Sequence, residues 1–171
     1  MYTYHQTLGV VCAGLTLKMA VVNLLTARCR TSTGIGRAAE DTKDKFIGLS
    51  FFRVLMLGYG PLSDADTMER LISCSRNSAE NEPFFALAAL GWAAVTTPPA
   101  YAPALLVLYM LSRYIHTMVY IFVRRQPYRA LAWAPGMLIM LYISGHTLIS
   151  APNIWSDAFR AAGESFKGNE L

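Results

Sequence analysis

RNSAENEPFFALAALGWAAV, the stretch from Arg76 to Val95, decides how this chain is organised. Its apolar half begins at Pro83 and is too short to cross a bilayer alone, since a spanning helix needs about 20 residues. The threonines and prolines of the following TTPPAYAP end the helix. To reach spanning length, the helix must extend backwards through MERLISCSRNSAENE, which carries Arg76, Asn77 and Glu80 into the membrane zone or to its edge.

The composition indicates a membrane protein. Of 171 residues, 54% are hydrophobic and only 15% are charged, against roughly 25% charged in an ordinary soluble domain. The length predicts a single domain, residues 1–171. The net charge is +4, but no basic stripe with interleaved aromatics indicates nucleic-acid binding. Cys12, Cys29 and Cys74 are scattered, so neither a disulfide framework nor a metal site is predicted.

The apolar runs predict an all-α membrane protein built as a four-helix transmembrane bundle. The start of the chain has no basic segment before its first apolar run, which favours an uncleaved first span. Arginines and lysines concentrate between spans one and two and between spans three and four, so both of these connections are expected in the cytosol. The predicted spans are residues 7–27, 70–97, 102–123 and 130–150, with a cytosolic loop over residues 28–69.

Residues 46–59 form a short apolar segment inside that loop, broken by Arg53. The segment is expected to lie in the membrane interface or to cover the cytosolic mouth of the bundle. A fifth span is the alternative, but it would upset the charge asymmetry of the loops.

Ionisable residues inside the spans point to a site, because such residues usually face a bundle interior or a water-filled cavity. In span three, Arg113, His116, Thr117 and Tyr120 share one helix face. Simpler interpretations are an Arg76–Glu80 pair near the headgroups, a hydrogen-bonded bundle histidine at His116 and an interface aromatic at Tyr120. Arg113 is harder to explain in this way, since it lies midway along its span.

A site for a small anion between the helices is the sharper interpretation. Its arginines would come from all four spans: Arg30, Arg76, Arg113 and Arg129. Arginine forks bind carboxylates in a bidentate manner, and Glu80 and Asn77 could hold an ammonium or peptide groups. The set suits a peptide-like ligand with more than one carboxylate and an amine.

Three stretches also carry a family resemblance: LKMAVVNLLTARCR, ERLISCSRNSAENEPF and SRYIHTMVYIFVRRQPYRAL. In this order and spacing they resemble the membrane-associated proteins in eicosanoid and glutathione metabolism, from about Leu15 to Ile149. The resemblance implies a left-handed four-helix bundle assembled as a homotrimer in the endoplasmic reticulum; a bacterial inner membrane is the alternative location. It implies glutathione bound near the cytosolic side, between subunits, by Arg30, Arg76, Asn77, Glu80, Arg113, His116, Tyr120 and Arg129.

The resemblance further implies a chemistry. Arg129 would hold the glutathione thiolate, Asp41 would assist proton transfer, and a lipophilic electrophile or lipid hydroperoxide would enter from the bilayer; no metal takes part. A glutathione transferase and peroxidase is therefore expected. The alternatives are a prostaglandin E synthase-type isomerase, a non-enzymatic lipid-binding scaffold and a small transporter. The sequence departs from the family pattern at Ser73, Ser75, Ala130 and Trp133.

Overall fold

The structure, a computed structural model, describes residues 3–33, 65–123, 126–151, 155–157 and 159–160. Within them the chain forms four long helices and no strand. The helices are α1 (Tyr4–Thr33), α2 (Ala65–Val95), α3 (Ala102–Phe122) and α4 (Gln126–Ile149). The all-α fold predicted from the sequence is confirmed.

Helices α1 and α2 are longer than the sequence pattern indicated, at the ends that adjoin the predicted 28–69 loop. Helix α1 continues to Thr33 and α2 begins at Ala65, so both ends of that loop are helical. Helix α4 begins at Gln126 rather than near residue 130. Pro127 lies in its first turn, where the missing N–H of proline costs no helical hydrogen bond. The apolar segment 46–59 lies outside the described residues.

Three of the helices are long and apolar enough to cross a membrane, over Tyr4–Arg30, Ala102–Phe122 and Gln126–Ile149. Helix α2 is also long enough, with 31 residues, but its N-terminal half carries charged residues, among them Arg76 and Glu80. It packs against each of the other three helices. Its own passage through the bilayer stays a prediction, which this packing supports.

Two apolar clusters form the core of the bundle. In the larger one, residues from all four helices meet, and the rings of Phe85 and Tyr109 stack with centroids 3.5 Å apart. The smaller cluster contains Val22, Cys29, Leu71, Cys74 and Ile121. Along α1 and α3 the larger cluster comes first, whereas along α2 the smaller one does. Helix α2 therefore runs in the opposite direction to α1 and α3.

A layer of buried polar side chains separates the two clusters. On α1 it contains Lys18, on α2 Ser78 and Glu82, and on α3 Ser112, Arg113, His116 and Thr117. On each helix these residues lie between the positions that supply the larger cluster and those that supply the smaller one. This layer is where the candidate site begins.

Candidate functional site in the polar layer and its adjoining groove

A buried ion pair joins α1 to α2 in the polar layer. Lys18 Nζ donates to Glu82 Oε1 and, at 2.9 Å, to Ser78 Oγ. Lys18 is only 5% exposed and Glu82 only 8%. An unpaired buried charge is strongly destabilising, so removal of either Lys18 or Glu82 alone would destabilise the fold.

Arg113 crosses the same layer from α3. It is 2% exposed, and its Nη2 donates to Asn77 Oδ1 on α2. Its Nε has no hydrogen-bond partner among the described residues. A Cβ at Gly136 of α4 would come within 3.3 Å of Arg113 Cδ and 2.8 Å of Ser112 Oγ. Gly136 therefore makes room for the guanidinium stem.

A chain of aromatic contacts extends from the layer toward the start of α4. The ring of His116 meets that of Tyr120 edge-on, with centroids 5.8 Å apart. The guanidinium carbon of Arg129 lies 4.4 Å above the centre of the Tyr120 ring, a cation–π contact. Arg129 also donates to Gln126 Oε1. His116, Tyr120 and Arg129 thus form one continuous group.

A polar groove of about 490 Å³ lies between α1 and α2, outside the buried layer. Two arginines, Arg30 and Arg76, line it from the two helices. Ser75 Oγ, on its wall, donates to Asn23 Oδ1 at 2.9 Å. Cationic forks in a groove of this size fit a small ligand with carboxylate groups.

An apolar cleft of about 250 Å³ separates α1 from α3 on another side of the bundle. Leu17, Val21, Met118 and Phe122 line it and are exposed at the surface of two membrane-spanning helices. Lys18 and Thr117 reach its inner wall from the polar layer. A lipophilic molecule entering from the bilayer would meet this cleft without crossing water.

The structure divides the predicted binding residues into two groups. Asn77, Arg113 and His116 face the bundle interior and lead to Tyr120 and Arg129. Arg30, Arg76 and Glu80 lie on the outer side, Arg76 and Glu80 both exposed. No ion pair joins Arg76 to Glu80 in the part of the chain that the structure describes.

Asp41, proposed from the sequence for proton transfer, lies outside the described residues. No group of three or more His, Cys, Asp or Glu side chains within the described ranges could hold a metal ion.

The sequence motifs point to Glu80 as the acid of span two and do not indicate the pairing of Lys18 with Glu82. A helical period would have identified Glu82. It follows Ser78 by four residues and precedes Phe85 and Ala89 by three and seven, so these residues share a face. All four are buried, whereas Glu80 is exposed.

The described part of the chain contains four long helices, three of them suited to span a membrane, around a layer of buried arginine, lysine and histidine. This arrangement defines an integral membrane bundle with a polar interior. The family model for the MAPEG family, the membrane-associated proteins in eicosanoid and glutathione metabolism, matches residues 8–149. The chain belongs to this family. No curated protein sequence matches the chain closely enough to count as a relative. Family membership makes this a membrane protein of the glutathione-related transferase, isomerase and synthase kind.

Proposed function

We propose that the protein is a glutathione-dependent membrane transferase and peroxidase that activates the glutathione thiolate against lipophilic electrophiles or lipid hydroperoxides. The observation that carries the proposal is the polar groove that Arg30 and Arg76 line from separate helices. Together with family membership, this arrangement favours a ligand bearing carboxylates within a membrane bundle.

Glutathione carries two carboxylates, an ammonium and a thiol, and the two groups of residues offer a partner to each. Arg30 and Arg76 have the fork geometry for the carboxylates. Glu80, exposed one helical turn after Arg76, is the acid for the ammonium. Asn77 and Arg113 supply further polar contacts from the interior, and His116 and Tyr120 lie toward the thiol end.

Arg129 is the residue assigned to the thiolate. A nearby cation stabilises a thiolate and lowers the pKa of the thiol, and Arg129 is oriented by Tyr120 and Gln126. In conjugation, the sulfur forms a C–S bond to the electrophile while the leaving group departs with its electron pair. In the peroxidase reaction, the thiolate attacks the terminal oxygen of the hydroperoxide; an S–O bond forms, the O–O bond breaks, and the departing alkoxide takes up a proton to give an alcohol. The thiol of a second glutathione then attacks the sulfur of the resulting glutathione sulfenic acid and gives glutathione disulfide and water. Asp41 is proposed to assist proton transfer.

Several copies of the chain are proposed to complete the site as a homotrimer. Arg76 and Glu80 are exposed on the single chain, although a charge facing lipid at the bilayer centre costs about 2.5 kcal/mol or more on insertion scales. Packing against another copy would remove them from lipid and enclose bound glutathione between subunits. The apolar cleft between α1 and α3 is the proposed approach for the second substrate.

The protein is further proposed to lie in the membrane of the endoplasmic reticulum with its basic loops facing the cytosol. Arg30 at the end of α1, Arg70 at the start of α2 and Arg129 at the start of α4 lie toward the same end of the bundle. That end also contains the smaller apolar cluster. The excess of arginine there supports a cytosolic orientation.

The proposal is tested by the melting temperature of the detergent-solubilised protein with increasing glutathione, because a ligand that binds only the folded state raises it. Conjugation of an aromatic halide is then compared in the parent, Arg129→Ala and Arg160→Ala. Arg160 is an exposed arginine far along the chain from the site and serves as the control.

We expect the turnover number of Arg129→Ala to fall about 100-fold, a size typical of removing one group that stabilises developing negative charge. Arg160→Ala should keep parental turnover. Equal turnover in all three proteins would remove Arg129 from the mechanism. A protein that glutathione fails to stabilise, yet that binds lipophilic ligands, would instead be a lipid-binding scaffold.

A further inference from the structure

We propose that Lys18 is a positioning residue for the glutathione site. Its buried ion pair with Glu82 fixes the rotation of α2 about its own axis, so that Asn77 meets Arg113 while Arg76 and Glu80 face the outer side. Lys18 itself is not assigned any contact with glutathione. The inference rests on the proposed function, which makes these α2 residues part of the binding site.

The contact that sets the rotation reaches α2 from one direction. Lys18 Nζ bonds both Ser78 Oγ, at 2.9 Å, and Glu82 Oε1. Ser78 and Glu82 are four residues apart and therefore lie on one face, about 40° from each other around the helix. A single ammonium on α1 thus holds two successive turns of α2.

The positions of the other α2 side chains follow from that anchor. Each residue of an α-helix is rotated by about 100° from the one before it. Asn77 therefore points about 100° from Ser78, which directs it toward α3, where it accepts from Arg113. Arg76 and Glu80 each point about 160° from Ser78, on the far side. Their burial agrees, since Ser78 and Glu82 are buried whereas Arg76 and Glu80 are exposed.

Apolar packing by itself specifies this rotation weakly in the charged half of α2. The buried residues before Ser78 on that face are Thr67, Leu71 and Cys74, two of which are small. Hydrophobic attraction is non-directional, whereas a rotation that separates the buried Lys18 from Glu82 would leave both charges unpaired. The Arg113–Asn77 contact joins α2 to α3 through one hydrogen bond, whereas Lys18 bonds two residues of α2.

The test uses the double variant Lys18→Met/Glu82→Leu in the full-length protein. Removing both charges together leaves neither unpaired, so the bundle is expected to fold. Tyr114→Phe is the matched control: it removes a 2.8 Å bond from Tyr114 Oη to Gly14 O, which joins α1 to α3 and does not involve α2.

Two readouts are taken on each protein. The first is the dissociation constant of glutathione, from the rise in melting temperature during a titration. The second is the alkylation rate of Cys74 by a maleimide, followed on its own peptide by mass spectrometry. Cys74 precedes Ser78 by four residues, shares its buried face and is 2% exposed. Its reactivity therefore reports the rotation of α2 without any ligand.

We expect the double variant to bind glutathione at least tenfold more weakly and to expose Cys74, with alkylation at least threefold faster. Tyr114→Phe should keep the parental values of both. Parental affinity with a protected Cys74 in the double variant overturns the proposal, as does weaker binding with Cys74 still protected.

A second variant covers the case in which the double variant does not fold. Glu82→Asp shortens the carboxylate arm by one methylene, and it should shift both readouts in the same direction by smaller factors; parental values for both would overturn the proposal. A parent protein that glutathione does not stabilise would overturn the proposed function instead. In that case the alkylation of Cys74 still decides whether the ion pair sets the rotation of α2.

Discussion

The position of Arg113 depends on the volume that neighbouring residues leave for its side chain. Arg113 carries a charged guanidinium with five donors, and the residue is 2% exposed in a membrane bundle. It can lie there because Asn77 accepts one of its hydrogen bonds and because Gly136 presents no side chain to its stem. An ordinary side chain at position 136 would compete with Arg113 for the same volume.

Gly136→Ala is therefore expected to destabilise the protein by about 1–3 kcal/mol, the usual cost of overpacking a filled interior. Glutathione affinity should fall as well, because Arg113 must shift. The measurements are the melting temperature in detergent and the glutathione dissociation constant.

Gly145→Ala, on the same helix, is the matched control. A Cβ at Gly145 would have no atom within 4 Å, so this change should be neutral or stabilise the helix by up to about 1 kcal/mol. Equal effects of the two substitutions would mean that space beside Arg113 is not limiting.

The two faces of helix α2 lie in different environments. Its buried face contacts the other three helices, while its outer face carries Arg76 and Glu80 and then Pro83, Leu87 and Leu90. These outer positions follow a spacing of three and four residues, which is typical of a helix that packs against another helix. A face with charges at one end and leucines at the other fits contact between copies better than contact with lipid.

Leu87→Trp tests that interpretation at the element. Leu87 is 64% exposed on the single chain; a tryptophan there would be tolerated by lipid but would clash within an interface between helices. We expect the variant to lose the oligomer of the parent, as measured by native mass spectrometry in detergent.

Leu108→Trp on α3 is the control, since Leu108 is also exposed, at 52%, but lies on a helix without charges on its outer face. It should keep the parental mass. An unchanged oligomer in Leu87→Trp would place the outer face of α2 in lipid.

The whole molecule has two chemically different ends. Arg30, Arg70 and Arg129 mark one end, whereas at the other Trp92 Nε1 donates to His146 Nδ1 at 3.0 Å and Tyr101 bonds Tyr142 through their hydroxyls. Aromatic residues suit a membrane interface, and arginines suit the cytosolic side. The asymmetry gives the bundle a predicted direction in the bilayer.

That direction is tested by single cysteines labelled with a membrane-impermeant thiol reagent in sealed vesicles of known orientation. Thr97→Cys lies in the exposed turn between α2 and α3, and Val123→Cys lies just after α3. We expect Val123→Cys to react from the cytosolic side and Thr97→Cys only from the other side. The unsubstituted protein measures labelling of its own cysteines, and detergent should expose both new sites. The reverse pattern would invert the proposed orientation.

The apolar character of the described helices and the presence of arginines in unfavourable places follow from the sequence, because hydrophobic run length and charge are local properties. The apolar run over residues 102–123, for example, lies on a helix that ends at Phe122. Arg113 could also be recognised as needing a partner, since its position midway along an apolar run is visible in the sequence.

The packing of the helices against one another determines which charges meet. Lys18 and Glu82 are separated by 64 residues and pair because α1 and α2 pack with particular faces together. Glu80, two residues earlier, points away for the same reason. A side chain's partner depends on the rotation of two helices at once, and this is set by contacts between distant segments that no local pattern contains.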